Sequence, residues 1–324
     1  MPRIVVTSRA FPETLDLLRA HGEVVANADE EPWSAERLRA ECRDAEAMLA
    51  FMPDTVDDAF LAACPRLRIV ACALKGFDNF DVAACAARGV WLTIVPDLLT
   101  EPTAELTVGL MIGLGRLVLP ADALVRGGEF QGWRPVLYGR SIDGANVGIL
   151  GGGAVGRAIA RKLAGFDCAT SVYDRVNAGP LPANARWSSL DEVIATADFL
   201  VVALPLNAGT RHLVDGALIG RLRAGTLLVN PGRGSVVDER AVADALASGQ
   251  LGGYAADVFE LEDWALPDRP TAIDARLLAD RTRTVFTAHI GSAVQAVRRR
   301  IELDAALNIV EALRGDRPHG AIGR

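Results

Sequence analysis

Arg233, Glu262 and His289 are the three side chains whose types, taken together, could hold an oxyanion and move a proton. Each stands just past an apolar, strand-like run. TLLVN (Thr226–Asn230) leads into PGRGSVVD, GYAADV (Gly253–Val258) into FELEDW, and TVFTA (Thr284–Ala288) into HIGS. In an open sheet of parallel strands, ligands collect beyond the carboxyl ends of the strands. Three successive strand ends would therefore present all three groups to one site. A histidine changes charge near neutral pH and can act as a general base. A carboxylate on its other ring nitrogen, here Glu262, fixes the tautomer and strengthens the base. An arginine fork binds a pair of anionic oxygens. His21, His212 and His319 lack such a setting and read as structural.

A second constellation lies upstream, in NVGILGGGAVGRAIARKL. It carries G-x-G-x-x-G at Gly151, Gly153 and Gly156, directly after an apolar strand and at the start of a helix. That context gives the motif meaning. Gly151 permits the tight turn, Gly153 lets the backbone approach a pyrophosphate, and Gly156 allows close packing of helix on strand. Ala154 and Val155 open the helix whose free N–H groups meet the phosphates. Asp174 closes the next strand, where an acid accepts from the adenosine ribose and repels a 2′-phosphate. NAD is thus the expected cofactor. Arg175 offsets part of that repulsion, which keeps NADP as a weaker alternative.

The remaining sequence supplies elements to position these groups. Strand-like runs at Arg3–Thr7, Ala47–Phe51, Arg68–Leu74 and Val90–Val95 alternate with helical segments. Near-continuous apolar strands fit a parallel sheet covered on both faces. A long apolar helix is predicted from Glu101 to about Arg126. An aperiodic stretch, Gly127–Gly144, then reads as an arm or lid. Six further strand candidates follow, at Asn146–Leu150, Thr170–Asp174, Phe199–Leu204 and the three named above; they match a doubly wound dinucleotide-binding sheet. A last helix, Ser292 to Leu313, could return the chain to the first domain. The predicted fold class is therefore α/β: a parallel-sheet Rossmann NAD domain at 99–291, with a dimerisation arm about 120–145, inserted into a second α/β domain built from 1–98 and 292–324.

Composition narrows the function classes. The chain has 324 residues, with 34 Lys+Arg against 41 Asp+Glu and a net charge of −7, which argues against a nucleic-acid partner bound through phosphates. Cys42, Cys64, Cys72, Cys85 and Cys168 are an odd count without Cys-x-x-Cys spacing, as expected of free thiols rather than a disulfide framework or a metal site. The apolar run at the N-terminus is short for a signal peptide, and Leu106–Leu114 falls short of the ~20 residues of a membrane span. A soluble, cytoplasmic protein is expected.

Over essentially its whole length the sequence resembles the D-isomer-specific 2-hydroxyacid dehydrogenase family. The motifs that carry the resemblance are GFDNFDV (Gly76–Val82), VGILGGGAVG (Val147–Gly156), LPLNAGTRHLV (Leu204–Val214), LVNPGRGSVVDE (Leu228–Glu239), GGYAADVFELED (Gly252–Asp263) and HIGSA (His289–Ala293). The resemblance implies that Arg233, Glu262 and His289 are catalytic, that the second domain is flavodoxin-like, and that the protein is a homodimer built on the cofactor domain. It implies a cofactor-binding set of Lys75, Thr103, Gly151, Gly153, Ala154, Val155, Gly156, Asp174, Arg175, Leu204, Pro205, Asn230, Gly232 and Asp257. Gly152 inside the glycine motif and Gly232 before Arg233 depart from the family pattern and are expected to loosen their turns.

A narrower resemblance is to family members that oxidise phosphite (phosphonate) to phosphate with NAD. It rests on FMPD (Phe51–Asp54), CALKGFDNFDV (Cys72–Val82), VPDLLTEPTAEL (Val95–Leu106), GEFQGWRPVLYG (Gly128–Gly139) and GYAADVFELEDWALPDRP (Gly253–Pro270). It implies a substrate shell of Met52, Lys75, Gly76, Trp133, Tyr138, Ser292 and Arg298. Lys75 adds a second cation to Arg233, which suits a dianion better than a monocarboxylate. Reduction of a 2-keto acid such as glyoxylate or hydroxypyruvate is the alternative within the family, and a non-catalytic NAD-sensing protein is the alternative outside enzymes.

Overall fold

The computed structural model describes residues 1–176 and 179–323. The chain divides into two compact units. The first comprises Met1–Leu99, Trp264–Pro267 and Ala293–Arg324; the second comprises Thr100–Asp263 and Asp268–Ser292.

The first unit begins β1 (Arg3–Val6), α1 (Pro12–Arg19), β2 (Glu23–Ala26), α2 (Ala35–Cys42), β3 (Ala47–Ala50), α3 (Asp58–Ala63), β4 (Ile69–Cys72), α4 (Val82–Ala87) and β5 (Trp91–Thr93). Side chains alternate along each strand, so each strand feeds two cores. Ile4, Leu49, Ile69 and Ala71 pack in one cluster with Leu18, Ile301, Ala305 and Ile309. Val5, Met48 and Val70 pack in another with Leu38, Phe60, Leu61 and Cys85. Three helices here start at a side chain that accepts from the first turn: Ser34, Asp57 and Asp81.

The second unit continues with α5 (Thr100–Gly115), α6 (Val118–Arg126), β6 (Asn146–Leu150), α7 (Ala154–Lys162), β7 (Ala169–Tyr173), β8 (Ala185–Trp187), α8 (Leu190–Thr196), β9 (Phe199–Val202), α9 (Gly216–Gly220), β10 (Thr226–Asn230), α10 (Glu239–Ser248), β11 (Leu251–Ala256), α11 (Ala275–Ala279) and β12 (Thr284–Phe286). The chain then re-enters the first unit through α12 (Gln295–Arg314) and β13 (Ala321–Ile322).

The first sheet runs β13-β5-β4-β3-β1-β2. Its five parallel strands have the flavodoxin-like order, and β13 pairs antiparallel to β5 at one edge. The second sheet runs β12-β11-β10-β9-β6-β7-β8, all parallel. That is the doubly wound Rossmann order, with the reversal between β6 and β9.

Several elements differ from the sequence-based expectation. The helix predicted from Glu101 to about Arg126 is two helices, α5 and α6, bent by 64°. Leu117 lies in the left-handed region at φ 55°, and the returning segment seats on the break: Arg140 N–H donates to the Gly115 carbonyl at 2.6 Å. A Cβ at Gly115 would meet the Arg140 carbonyl at 2.9 Å. The last helix starts at Gln295 rather than Ser292. Three strands, β2, β8 and β13, escaped the sequence reading; all are short edge strands pairing with a single neighbour, and none is fully buried. Among the described residues, no single helix is long and apolar enough to cross a membrane.

In the first unit, Asp54 is buried at the end of the β3 loop, where its Oδ2 accepts from the Thr7 hydroxyl at 2.5 Å and from Phe51 N–H at 2.7 Å. Burial pushes its carboxyl up to about 6, against the opposing pull of those two hydrogen bonds. The unfolded value is about 3.9, so the folded state holds the extra proton between the two values. The electrostatic penalty is absent below about pH 4 and complete above about pH 6. Asp54→Asn keeps an acceptor for both donors without the charge. Its Tm relative to the parent is expected to rise between pH 4.5 and 7.5; a Tm difference flat across that range would refute the assignment.

Candidate active site

His289, Glu262 and Arg233 all lie in the second unit, on three adjacent strand exits. His289 follows β12, Glu262 ends a short 3₁₀ turn (Glu260–Glu262) after β11, and Arg233 sits between β10 and a second such turn (Gly234–Val236). His289 Nδ1 pairs with Glu262 Oε2 at 2.7 Å, and both side chains are about three-quarters buried. Glu262 Oε1 accepts from Phe259 N–H at 2.7 Å, so the carboxylate is anchored before it meets the ring. With Nδ1 donating to a carboxylate, the neutral ring leaves its Nε2 lone pair able to accept a proton.

The His289 loop is set by Asp257, a 1%-exposed residue. Its Oδ1 accepts from the Thr287 hydroxyl at 2.6 Å and from Ile290 N–H at 2.8 Å, and its Oδ2 accepts from Gly291 N–H at 2.8 Å. The Asp257 carbonyl takes His289 N–H at 2.8 Å. His289 itself adopts φ 53°, a left-handed conformation that a non-glycine residue rarely enters. Thr103 belongs to the same neighbourhood: a Cβ at Gly291 would lie 3.1 Å from both Thr103 Oγ1 and Asp257 Oδ2.

Asn230, expected to touch the cofactor, also has a role within the protein. The side chain is fully buried and serves the turn that presents Arg233: Nδ2 donates to the Arg233 carbonyl at 2.9 Å, and Oδ1 accepts from Gly232 N–H at 3.1 Å. Gly232 is not a loosened position. A Cβ there would meet the carbonyls of Val202 and Leu204 at 2.8 Å, so glycine is what lets this turn lie against the end of β9.

The glycine loop fits a dinucleotide. Gly151 has φ 107°, and a Cβ on it would meet the Ala203 carbonyl at 2.4 Å. A Cβ on Gly156 would meet the Gly151 carbonyl at 1.9 Å, whereas a Cβ on Gly153 would meet nothing within 4 Å. Close packing at the first and last glycine and open space at the middle one leave room for a pyrophosphate. It would face Ala154 and Val155 at the start of α7, whose N-cap Gly153 supplies no side-chain acceptor. Gly152 is likewise tightly held rather than loose. A Cβ there would strike the Trp187 ring at 2.3 Å, and Arg157 Nε donates to its carbonyl at 2.7 Å. Asp174 Oδ2 accepts from Gly152 N–H at 2.8 Å, tying the loop to the end of β7. Asp174, Arg175, Leu204 and Pro205 line one pocket, together with Tyr173, Asn207, Gly209, Thr210 and Leu213. Of the last five, Tyr173 ends β7 and the other four lie in the LPLNAGTRHLV stretch, none of them singled out from the sequence.

In the first unit, Met52, Lys75, Gly76 and Arg298 gather near the carboxyl ends of β3 and β4. Asn79 Nδ2 donates to the Met52 carbonyl at 2.9 Å, and Arg298 Nη1 to the Ala73 carbonyl at 3.2 Å, two residues before Lys75. Ser292 directly follows the Asp257-bound Gly291 and is partly buried. Trp133 and Tyr138, in the second unit, are 83% and 77% exposed on the aperiodic stretch after α6.

Asp257→Asn replaces one acceptor oxygen with an NH₂ that faces N–H donors. The His289 loop is expected to loosen, lowering kcat by about tenfold to 10²-fold with a smaller change in NADH affinity. Steady-state kinetics beside a fluorescence titration of NADH check this, and an unchanged kcat would contradict it.

The family model described as "D-isomer specific 2-hydroxyacid dehydrogenase, NAD binding domain" matches residues 108–291. The chain is 34% identical to the glyoxylate reductase of Aeropyrum pernix, over 100% of this chain and 96% of that one. It is 32% identical to the glyoxylate reductase of Thermofilum pendens, over 100% and 95%. Among solved structures, the TT0316 protein of Thermus thermophilus superposes with a TM-score of 0.90 at 29% identity, covering 99% of each chain. A 2-hydroxyacid dehydrogenase of Ketogulonicigenium vulgare gives 0.83 at 28% identity, covering 99% and 98%. With the glycine loop, the acid at Asp174 and the His289–Glu262 pair in place, the chain belongs to the D-isomer specific 2-hydroxyacid dehydrogenase family, as an oxidoreductase with NAD as its cofactor.

Proposed function

We propose that the substrate is phosphite, oxidised to phosphate. NAD, when bound, supplies the hydride acceptor. Arg233 and Lys75 are the two cations for the substrate dianion, with backbone N–H groups of the Lys75–Gly76 loop beside them. His289 Nε2 takes a proton from water as the water oxygen forms its bond to phosphorus. The P–H bond breaks, and its hydrogen departs with both electrons. Glu262, hydrogen-bonded to Nδ1, stabilises the imidazolium that forms. Phosphate and one proton are the products beside the reduced cofactor. The observation that carries this reading is Lys75, a half-buried cation three residues after the end of β4, in CALKGFDNFDV. Met52, Ser292 and Arg298 complete the substrate shell we assign.

A second reading is favoured by the names of the relatives: reduction of a 2-keto acid such as glyoxylate. Arg233 then binds the carboxylate, and His289 donates its proton to the carbonyl oxygen. Fold and shared machinery do not choose between the two, because substrate choice lies in the site's own side chains. Absorbance of NADH at 340 nm decides. Phosphite with NAD is expected to give a rise, and Lys75→Ala to increase KM for phosphite on the order of tenfold or more. A flat trace with phosphite and a rapid fall with glyoxylate and NADH would replace the first reading by the second.

The same reading makes the protein a cytoplasmic homodimer. Five buried free cysteines support a reducing compartment. An exposed apolar surface on α6 and the stretch after it supports the dimer: Val118, Leu119 and Val125, then Phe130, Trp133 and Val136. Light scattering is expected to give twice 34.4 kDa. Trp133→Asp with Leu119→Asp should shift the mass toward the monomer; a monomeric parent protein would end this assignment.

A further inference from the structure

His212 is one of five non-glycine residues described with positive φ, at 48°. The left-handed region admits histidine more often than most side chains, yet an outlier there calls for a reason. Its backbone N–H donates to the Ser235 carbonyl at 2.7 Å, and its ring Nε2 pairs with Glu260 Oε2 at 2.8 Å. One residue therefore grips both 3₁₀ turns, the one that begins after Arg233 and the one that ends at Glu262. The grip extends on either side. Val214 N–H donates to the Val236 carbonyl, and Ser235 N–H donates to Asp263 Oδ2 at 2.6 Å. Glu239 and Glu260, both buried, cap each other: Glu260 N–H donates to Glu239 Oε1 at 2.8 Å, and Glu239 N–H to Glu260 Oε1 at 3.0 Å. A Cβ at Gly234 would meet the Phe259 carbonyl carbon at 1.9 Å, so the two turns are already in backbone contact.

We propose that His212, through Glu260, is a positioning residue that fixes the spacing between Arg233 and the Glu262–His289 pair. The inference rests on the roles assigned to Arg233 and Glu262, and it holds for either substrate above. A side chain at residue 212 that cannot reach Glu260 frees the turn carrying Glu262, and it leaves a buried carboxylate short of a donor. The charged and titratable groups facing this cluster are Glu239 from α10, Tyr254 from β11, Arg211 and Asp268, which pair with each other at 2.7 Å, and Asp263. Burial pushes the Glu239 carboxyl up to about 7, with Glu260 and Asp263 adding to the rise. Glu239, bonded to the Glu260 backbone, therefore changes charge near neutral pH, and the state of this contact should appear in a pH profile.

The test uses His212→Ala, His212→Gly and His212→Gln. Glycine relieves the positive φ while removing the ring, so it should fold at least as well as alanine. Glutamine returns an N–H donor toward Glu260. With whichever of phosphite or glyoxylate the parent enzyme turns over, the alanine and glycine variants are expected to lose about tenfold to 10²-fold in kcat. Their pH profile should be displaced, NADH affinity should stay within about twofold, and glutamine should restore most of the loss. Independently of turnover, the ring proton–carbon NMR signal of His289 should move in the alanine and glycine variants and return in the glutamine one. Parental kcat, pH profile and His289 signal in His212→Gly would overturn the proposal. So would a loss that glutamine does not rescue.

Discussion

A single buried carboxylate organises the reacting end of the NAD-binding unit. Asp257 spends both oxygens on the loop that carries His289, and its carbonyl takes the histidine's own N–H. Hydrogen bonds to a charged acceptor are stronger than neutral ones, and in a low-dielectric interior they stiffen one another. The left-handed backbone at His289 is held against its intrinsic cost by that set of bonds. Without it, the 2.7 Å contact to Glu262 has no fixed starting point.

From there the site is built outward by short connections at the carboxyl edge of one parallel sheet. Asn230 folds the turn before Arg233, and Glu262 is pinned by Phe259 N–H before it touches the imidazole. The glycine loop at the end of β6 is fixed from three sides, by the Trp187 ring, the Arg157 guanidinium and the Asp174 carboxylate. Stiff strands supply the register, and side-chain-to-backbone bonds supply the fine placement. Neither alone would bring His289, Glu262 and Arg233 to adjacent strand exits.

Much of this was legible in the sequence, and the limits have physical causes. Buried parallel strands such as FLVV and TLLVN announce themselves by unbroken apolar runs, and the glycine motif by its place between strand and helix. The edge strands β2, β8 and β13 were not legible, because a short, half-solvated strand carries no such run. The break between α5 and α6 was hidden because its cause is distant: residues 139 and 140 folding back onto Gly115. Asn230 and Gly232 have residue types that suit a ligand contact, and the turn geometry adds that both also shape the backbone before Arg233. His212 read as structural for lack of a neighbour in sequence; its partner Glu260 lies far along the chain and meets it only once β10 and β11 are paired.

The glycine at residue 234 has a consequence for how such an enzyme could change its diet. With Phe259 pressed against its α-carbon, the arginine-bearing and glutamate-bearing loops are interlocked and shift as one piece. The separation of Arg233 from Glu262 is then set by main chain pressed on main chain, and a changed substrate is most easily accommodated by side chains outside the interlock.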